Sequence, residues 1–495
     1  MKKKLIALLS SILLFIPAIP GFDYYFFAFI AFVPFFIVVL YSKKIYCFSL
    51  IFGLMFGGLL YGFILFTHNS SFYNNLAIYC VLVLMQGLIF IVFAFIISKN
   101  KQIISNTYVL YAVISISWAI IEYLFNYFYH GFAIYIGFTQ YNNSILLFLA
   151  SYIGLFGVSA VIIFINIVIA DIYNYFRKNE FQGNINMYFK KFIPLIFIVL
   201  VGFIFNIHYN ISYSYETNKE INFKKYSLIQ ANIDSYQYAR ASGANVLMED
   251  IFTEYYELTK QTVKSEDPDI ILWPETAVHR WVFRLKNFRN QLKSFANEND
   301  VELIIGAPDL DGKGKEFNSV FSLSSEGEIV DKYDKNILVP IWEENFSPGR
   351  KIVPIKVNDK KAGVNICFEI LFPFIFTEQI NRGAEVLFVH SNNGMFGFST
   401  APYIYSAFSV FRAVENNVYL FQVMNTGVSM VVSPKGEIIE ETKIFDRESL
   451  SVSVEHGNRE KTFFSKYGFY LYLIITFGFS LYFIFVLYSI YIKDI

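Results

Sequence analysis

Long apolar runs separated by short polar breaks fill the chain up to residue 210. The hydrocarbon core of a bilayer is about 30 Å thick and requires roughly 20 apolar residues per helix. That length predicts seven membrane spans in this part of the chain and an eighth near the carboxyl end, with a helical hairpin as the alternative for the short first two. The predicted spans are residues 5–19, 24–40, 45–66, 77–97, 108–128, 145–170, 192–207 and 467–491.

Between the seventh and eighth predicted spans the pattern changes, because short β-rich runs alternate with helical stretches. This alternation is typical of an α/β domain. Strands are predicted at 226–233, 269–273, 302–307, 319–323, 329–333, 362–367, 384–390, 418–424 and 429–433, and helices at 247–262, 283–297, 372–381 and 403–416. The chain is therefore predicted to contain a transmembrane domain at 1–210, an α/β domain at 211–463 that is large enough to bury its own core, and a transmembrane helix at 464–495.

Composition supports a membrane protein, since 55% of residues are hydrophobic, 20% are aromatic and only 16% are charged. Soluble globular chains contain more charge and fewer apolar residues. Acidic and basic residues balance at 40 each, and no basic block indicates a nucleic-acid partner.

Lysine and arginine residues occupy alternate short loops between the predicted spans. Because basic loops favour the cytoplasmic side, both termini are predicted to be cytoplasmic and the α/β domain extracytoplasmic. This arrangement predicts a multi-pass protein of the membrane that bounds the cytoplasm. The basic positions are 2–4, 43–44, 99, 101, 177–178 and 190–191.

Three polar residues lie just past predicted strands of the α/β domain, where such sheets build their sites. Glu275 and Lys335 each follow a strand, and Cys367 ends one. Cys367 is also the only one of three cysteines outside an apolar run. A free thiol has a pKa of about 8.5 and needs a base or a positive charge to become a nucleophile.

Glu275 is suited to accept the thiol proton, and Lys335 to stabilise a thiolate and then an oxyanion, with the backbone N–H of Phe368 as a second donor. Each residue alone also has an ordinary structural explanation, as a solvated loop acid, an edge charge or a core cysteine. The combination of the three favours chemistry.

Three local sequences carry a resemblance to a known family: W-P-E ending at Glu275, K-x-x-L-V-P beginning at Lys335, and I-C-F-E around Cys367. They resemble the nitrilase (carbon-nitrogen hydrolase) superfamily, and the predicted spans narrow the resemblance to bacterial apolipoprotein N-acyltransferases. Departures include Phe368, where the family commonly has tyrosine, and Trp342 within the loop that usually reads F-G-E.

The resemblance implies an α/β nitrilase-like domain of αββα sandwich form beside a bundle of about eight membrane helices. It also implies that Glu275 is the general base, Lys335 the oxyanion stabiliser and Cys367 the acylated nucleophile. Glu343 and Glu369 match further acidic positions required in the family. Residues suggested to contact substrate are Tyr236, Tyr238, Trp342 and Asn392.

The implied reaction has two steps and requires no cofactor or metal. Cys367 attacks the sn-1 ester of a phospholipid, typically phosphatidylethanolamine, and forms a thioacyl-enzyme. The α-amine of the diacylglyceryl-modified amino-terminal cysteine of an apolipoprotein then takes the acyl chain as an amide.

Other functions are compatible with parts of this pattern. A membrane-tethered amidase or nitrilase would use the same triad with water as the acceptor. A catalytically inactive scaffold is disfavoured because all three triad residue types are intact, and a transporter is disfavoured because charges within the spans are sparse.

Overall fold

The computed structural model describes residues 1–67, 71–128, 135–179, 193, 202, 222–234, 245–278, 281–340, 342–357, 359–456 and 459–493. The chain divides into two compact units. The first contains the described residues within Met1–Phe66, Ser70–Thr217 and Tyr467–Ile495, and the second those within Thr67–Asn69 and Asn218–Lys466. We call them the helical unit and the α/β unit.

The helical unit combines short, broken helices near the amino terminus with long helices that follow. The described helices are α1 (Lys2–Phe15), α2 (Ala28–Ala31), α3 (Val33–Leu40), α4 (Ile45–Leu60), α5 (Phe72–Ile103), α6 (Thr107–Phe128), α7 (Ser144–Asn179) and, at the carboxyl end, α12 (Phe463–Lys493). Short 3₁₀ segments at Ile16–Ala18, Tyr25–Phe27, Gly62–Phe66 and Ile136–Gln140 lie between them.

Within the described residues, four helices are long and apolar enough to cross a membrane, namely α5, α6, α7 and α12. The corresponding four predictions of long apolar helices are confirmed. The helices predicted at 5–19 and 24–40 are present but divided, because Pro17 lies in the 3₁₀ segment Ile16–Ala18 that follows α1 and Pro34 lies in the first turn of α3. Proline lacks the backbone N–H that a helix interior requires. The helix predicted at 45–66 ends at Leu60, and most of 192–207 lies outside the described residues.

The α/β unit contains two six-stranded sheets with orders β12-β1-β2-β3-β4-β5 and β11-β10-β9-β8-β7-β6. In each sheet three neighbouring strands are parallel, β1-β2-β3 and β7-β8-β9, and antiparallel strands extend both edges. The strands are β1 (Asn222–Gln230), β2 (Ile270–Trp273), β3 (Glu302–Leu310), β4 (Glu316–Leu323), β5 (Ile329–Asp334), β6 (Ile355–Val357), β7 (Lys360–Ile366), β8 (Val386–Ser391), β9 (Leu420–Met424), β10 (Met430–Val432), β11 (Ile438–Glu441) and β12 (Glu448–His456).

Strand β2 shows why its sequence is an unbroken apolar run. Ile270 and Leu272 belong to a core cluster that residues of both sheets share. Ile271 and Trp273 point to the other face and pack with residues of two helices, α8 (Asn245–Glu266) and α9 (Lys286–Asn299). Alternate residues of a strand face opposite sides, so a strand covered on both sides needs apolar residues throughout.

The second sheet is covered by α10 (Pro373–Asn381), which contacts β7, and by α11 (Ala401–Asn416), which contacts β9 and β10. All nine predicted strands overlap observed ones, and all four predicted helices are present, so the α/β prediction is confirmed. Three strands are additional: β6, β11 and β12. β6 has only three residues and β11 is mostly exposed, so neither has a strong apolar signal.

Candidate active site

Glu275 lies in a tight turn directly after β2. Gly306 on β3 makes room for that turn, because a Cβ atom there would approach the carbonyl oxygen of Pro274 to 2.1 Å. The backbone N–H of Ala277 donates to the Gly306 carbonyl at 2.9 Å and closes the turn. Glu275 is 7% exposed, so the strand delivers a carboxylate into a nearly dry part of the α/β unit.

Lys335 follows β5 and is fully enclosed, with 1% of its side chain exposed. Its backbone N–H donates to the Asn318 carbonyl at 2.8 Å, and its own carbonyl accepts from Gly349 at 2.7 Å. Its Nζ lies 3.2 Å from Glu275 Oε1 and 2.9 Å from Glu343 Oε1. An ammonium group has three donors, so two are engaged by carboxylates and one is left for another partner.

Cys367 begins a 3₁₀ turn, Cys367–Leu371, at the end of β7. Its φ is +50°, a left-handed conformation that is uncommon for a residue with a side chain. Such backbone strain concentrates at functional sites, where surrounding structure holds it. The turn projects the thiol from the end of a parallel strand, the position where α/β sheets bind ligands.

Glu369 ties the cysteine turn to the lysine loop. Its Oε2 accepts from the backbone N–H of Ile366 at 2.8 Å. Its Oε1 accepts from the backbone N–H groups of Asn336 and Ile337 at 2.7 and 3.2 Å, and from the Tyr333 hydroxyl at 2.9 Å. Glu369 therefore fixes the segments on either side of the thiol and the ammonium group without contacting either.

The two carboxylates around Lys335 differ in how they are held. Glu343 uses both oxygens, since its Oε2 accepts from the backbone N–H of Val339 at 2.7 Å while its Oε1 receives Lys335. Glu275 uses Oε1 only, and no described residue donates to its Oε2. Glu275 is thus the carboxylate with a lone pair available for a proton.

The charges in the site keep the thiol protonated at rest. The pKa of Cys367 is raised to about 12, first by burial and then by the negative charge of Glu275, while Lys335 acts in the opposite direction. Burial also raises the pKa of Glu275. For Lys335, burial disfavours the charged form, but Glu275 and Glu343 outweigh it and hold the pKa well above its usual value. The sulfur therefore needs a proton acceptor at the moment it attacks.

Four further residues contribute to this site and were not predicted from the sequence. The Asn318 amide donates to both Glu275 and Glu343, and an asparagine within a strand is itself unusual. A hydrogen bond from Ser391 lowers the pKa of Cys367. The others are Tyr333, which contacts Glu369, and Tyr405 on α11, whose pKa burial raises far above normal, with Cys367 adding to the effect.

The remaining predicted contacts with substrate are less well defined. Tyr236 and Tyr238 lie outside the described residues, and Trp342 is partly buried beside Glu343. The side-chain oxygen of Asn392 accepts from Gly394 N–H and Asn425 Nδ2. Phe368 is buried and packs edge-to-face on Phe372. Over the described part of the chain, no group of three or more His, Cys, Asp or Glu side chains could hold a metal ion.

Comparisons with known proteins match both parts of the chain. The family model for carbon-nitrogen hydrolases matches residues 227–458, and the model for the apolipoprotein N-acyltransferase amino-terminal domain matches residues 10–168. The apolipoprotein N-acyltransferase of Geobacter metallireducens is 28% identical over 359 residues, which are 67% of this chain and 66% of that protein. Apolipoprotein N-acyltransferase 2 of Treponema denticola is 28% identical over 325 residues, 58% of this chain and 60% of that protein.

Among solved structures, a carbon-nitrogen hydrolase from Helicobacter pylori is 17% identical, with a TM-score of 0.41, and the match covers 47% of this chain and 89% of that chain. The first family match defines the α/β unit as a carbon-nitrogen hydrolase domain of the nitrilase type. The second match covers residues 10–168, so most of the helical part before residue 210 is similar to the amino-terminal domain of apolipoprotein N-acyltransferases.

Proposed function

We propose that this protein transfers a fatty acyl chain from a membrane phospholipid to the amino-terminal cysteine of apolipoproteins. The observation that carries the proposal is the joint presence, in one chain, of long apolar helices and a buried site in which Lys335 contacts Glu275 near Cys367. The names of the related proteins supply the class of acceptor.

In the first step the Cys367 sulfur attacks the sn-1 ester carbonyl while its proton passes to Glu275. The oxyanion that forms is stabilised by the Lys335 ammonium group and the backbone N–H of Phe368. The intermediate then expels the glycerol oxygen, which takes the proton from Glu275. A thioester on Cys367 and a lysophospholipid result.

In the second step the α-amine of the S-diacylglyceryl cysteine attacks the thioester. The amine loses a proton to Glu275, the Cys367 thiolate leaves, and that proton returns to the sulfur. An amide bond forms, and the thiol is restored. Within this scheme Glu343 holds Lys335, Glu369 holds the cysteine turn, and Asn392, Trp342, Tyr236 and Tyr238 line the substrate path.

The proposal extends to the setting of the enzyme. About eight spans place an α/β domain of αββα sandwich form outside the bacterial cytoplasmic membrane, with both termini cytoplasmic and with domains at 1–210, 211–463 and 464–495. Both substrates are lipid-anchored, so confinement to the membrane plane replaces a three-dimensional search. Phosphatidylethanolamine is the proposed donor.

The test is intact-mass analysis of the purified full-length protein after incubation with phosphatidylethanolamine vesicles. We expect a fatty-acyl adduct that Cys367→Ala abolishes and that Cys80→Ala, at an exposed cysteine of the helical unit, retains. Addition of a diacylglyceryl-cysteine peptide should discharge the adduct and give an N-acyl peptide.

Two results would reject the proposal. One is the absence of any adduct on folded protein with phosphatidylethanolamine, phosphatidylglycerol or phosphatidylcholine vesicles. The other is discharge of the adduct at the same rate with or without the peptide, together with hydrolysis of a small amide, which indicates a membrane-tethered amidase.

A further inference from the structure

One neutral side chain in the site contacts both carboxylates that flank the lysine. Asn318 lies on β4, is 2% exposed, and donates from Nδ2 to Glu275 Oε1 at 2.8 Å and to Glu343 Oε1 at 3.1 Å. Lys335 Nζ contacts the same two oxygen atoms. The carboxylates are therefore bridged twice, once by an ammonium group and once by an amide.

Within the described part of the chain, only the donor end of the Asn318 amide forms hydrogen bonds. Its donor end is paired with two carboxylates, whereas its buried acceptor Oδ1 has no hydrogen-bond partner among the described residues. An unpaired buried acceptor is unfavourable. The two carboxylate contacts of the donor end therefore account for an asparagine at this position.

The backbone of Asn318 also positions the lysine, because its carbonyl accepts the Lys335 N–H at 2.8 Å. One residue of β4 thus fixes the start of the lysine loop through its main chain and the two acids through its side chain. The register between β4 and β5 places these groups together, since Ser319 pairs with Asp334.

Electrostatics explains what the amide adds. Two carboxylates share a single ammonium group, and the like charges of Glu275 and Glu343 repel each other. Among the described residues, the titratable groups that interact with Glu275 are Lys335, Glu343, Cys367 and Tyr405, and Lys335 is the only cation of these four. The N–H groups of the Asn318 amide add partial positive charge beside the two carboxylates, and an amide does not lose a proton near neutral pH.

We propose that Asn318 is a positioning residue that holds Glu275 and Glu343 around Lys335, favours the ionised form of Glu275 and leaves Glu275 Oε2 free to accept the proton of Cys367. The inference deepens the proposed function, because it rests on Glu275 as the base of that reaction. It predicts that loss of the amide raises the proton affinity of Glu275, since a hydrogen bond to the charged form favours that form.

The experiment follows the reactivity of Cys367 itself and does not depend on the acyl donor. Full-length protein in detergent is treated with iodoacetamide at pH 4 to 9, and alkylation of the Cys367 peptide is followed by mass spectrometry. The sulfur–carbon bond forms, iodide leaves, and the thiol proton passes to Glu275. The rate should rise with pH as Glu275 loses its proton.

We expect the midpoint of this rise to move upward by about one pH unit in Asn318→Ala, the size of one charged hydrogen bond. Asn318→Asp removes the donors and adds a third carboxylate, so its midpoint should move further. Asn416→Ala removes another buried amide, one that donates to the Arg412 carbonyl on α11, and should leave the midpoint in place even where it lowers the melting temperature.

An unchanged midpoint in folded Asn318→Ala and Asn318→Asp would overturn the inference, as would an equal shift in Asn416→Ala. The experiments can reject the role of Asn318 and the proposed function independently of each other. A shifted alkylation profile in a protein that forms no acyl adduct supports the role of Asn318 and rejects phospholipid as donor. Normal acyl transfer by wild-type protein with an unshifted profile in both variants rejects only the role of Asn318.

Discussion

Buried carboxylates occur in both units, and the donors around them differ in charge. In the helical unit, Glu122 on α6 is 4% exposed. Its Oε1 accepts from the Trp118 indole N–H at 2.8 Å and from the Ile136 backbone N–H at 2.9 Å. No lysine or arginine of the described chain forms an ion pair with it. These neutral donors attach the 3₁₀ turn Ile136–Gln140 to α6, which is a structural task.

In the α/β unit, Glu275 and Glu343 meet the ammonium group of Lys335 instead. A cation keeps a buried carboxylate ionised, and an ionised carboxylate with a free oxygen is a base. The comparison teaches that burial of an acid does not by itself indicate catalysis. Glu122 Oε2 also has no hydrogen-bond partner among the described residues, so the charge of the donors, and not a free second oxygen, separates the structural acid from the reactive one.

The largest effect is expected from Glu275→Gln, which keeps an acceptor for Asn318 and Lys335 but cannot take a proton. Thioester formation on Cys367 should fall by about 10²–10⁴-fold, the usual contribution of a general base. Single-turnover kinetics with phospholipid vesicles measures this rate. A fall of less than about tenfold would assign the base to another group.

Lys335→Met tests the cation directly. It leaves the Oε1 atoms of Glu275 and Glu343 without their shared ammonium group, and an unpaired buried charge costs about 3–5 kcal/mol of stability. Chemical unfolding of the full-length protein provides the measurement. The control is Lys260→Met, which breaks an exposed pair with Glu257 and should cost no more than about 1 kcal/mol. Similar losses in both variants would contradict a central role for Lys335.

Much of this site could be predicted from sequence because its parts follow strand ends. Glu275 and Cys367 each follow an apolar run, so the strand and the functional group are found together, as at Trp273 and Glu275 or at Ile366 and Cys367. The long helices were predictable for the same reason, since hydrophobic length is a local property. The broken helices around Pro17 and Pro34 show the limit of counting apolar residues alone.

The residues that sequence reasoning missed act across the fold. Asn318 lies 43 residues from Glu275 and 25 from Glu343 along the chain, and only strand pairing brings them together. β12 was missed although Leu450, Val452 and Val454 alternate with polar residues. Its partner β1 lies more than two hundred residues earlier, so no short hairpin turn in the sequence indicates that the two strands pair.

Glu369 is a buried carboxylate of the α/β unit with neutral donors, and we expect it to make the stability of the protein depend on pH. Burial raises its pKa from 4.5 to about 7, so the folded state binds the proton more tightly than the unfolded state. Its contribution to stability is complete below pH 4.5 and is lost as the pH rises through 7. The shift corresponds to about 3 kcal/mol.

The variant Glu369→Gln removes this titration but leaves the N–H of Ile366 facing an amide in place of a carboxylate oxygen. It should be less stable than wild type at pH 4.5, and the difference should shrink by up to about 3 kcal/mol between pH 4.5 and 8. Parallel unfolding curves across this range measure the difference, because all other titrating groups are shared. A constant difference would show that Glu369 does not titrate in this window.

The smallest effect is expected from Glu122→Gln, the same substitution as at Glu275 but in the helical unit. Glutamine keeps an acceptor oxygen for Trp118 and Ile136, so the loss of stability should stay below about 1 kcal/mol, and thioester formation on Cys367 should be unchanged. Unfolding and single-turnover kinetics measured beside Glu275→Gln provide the test. If the rate fell as far as in that variant, the acid of the helical unit would belong to the chemistry, and neutral donors would no longer distinguish a structural carboxylate from a reactive one.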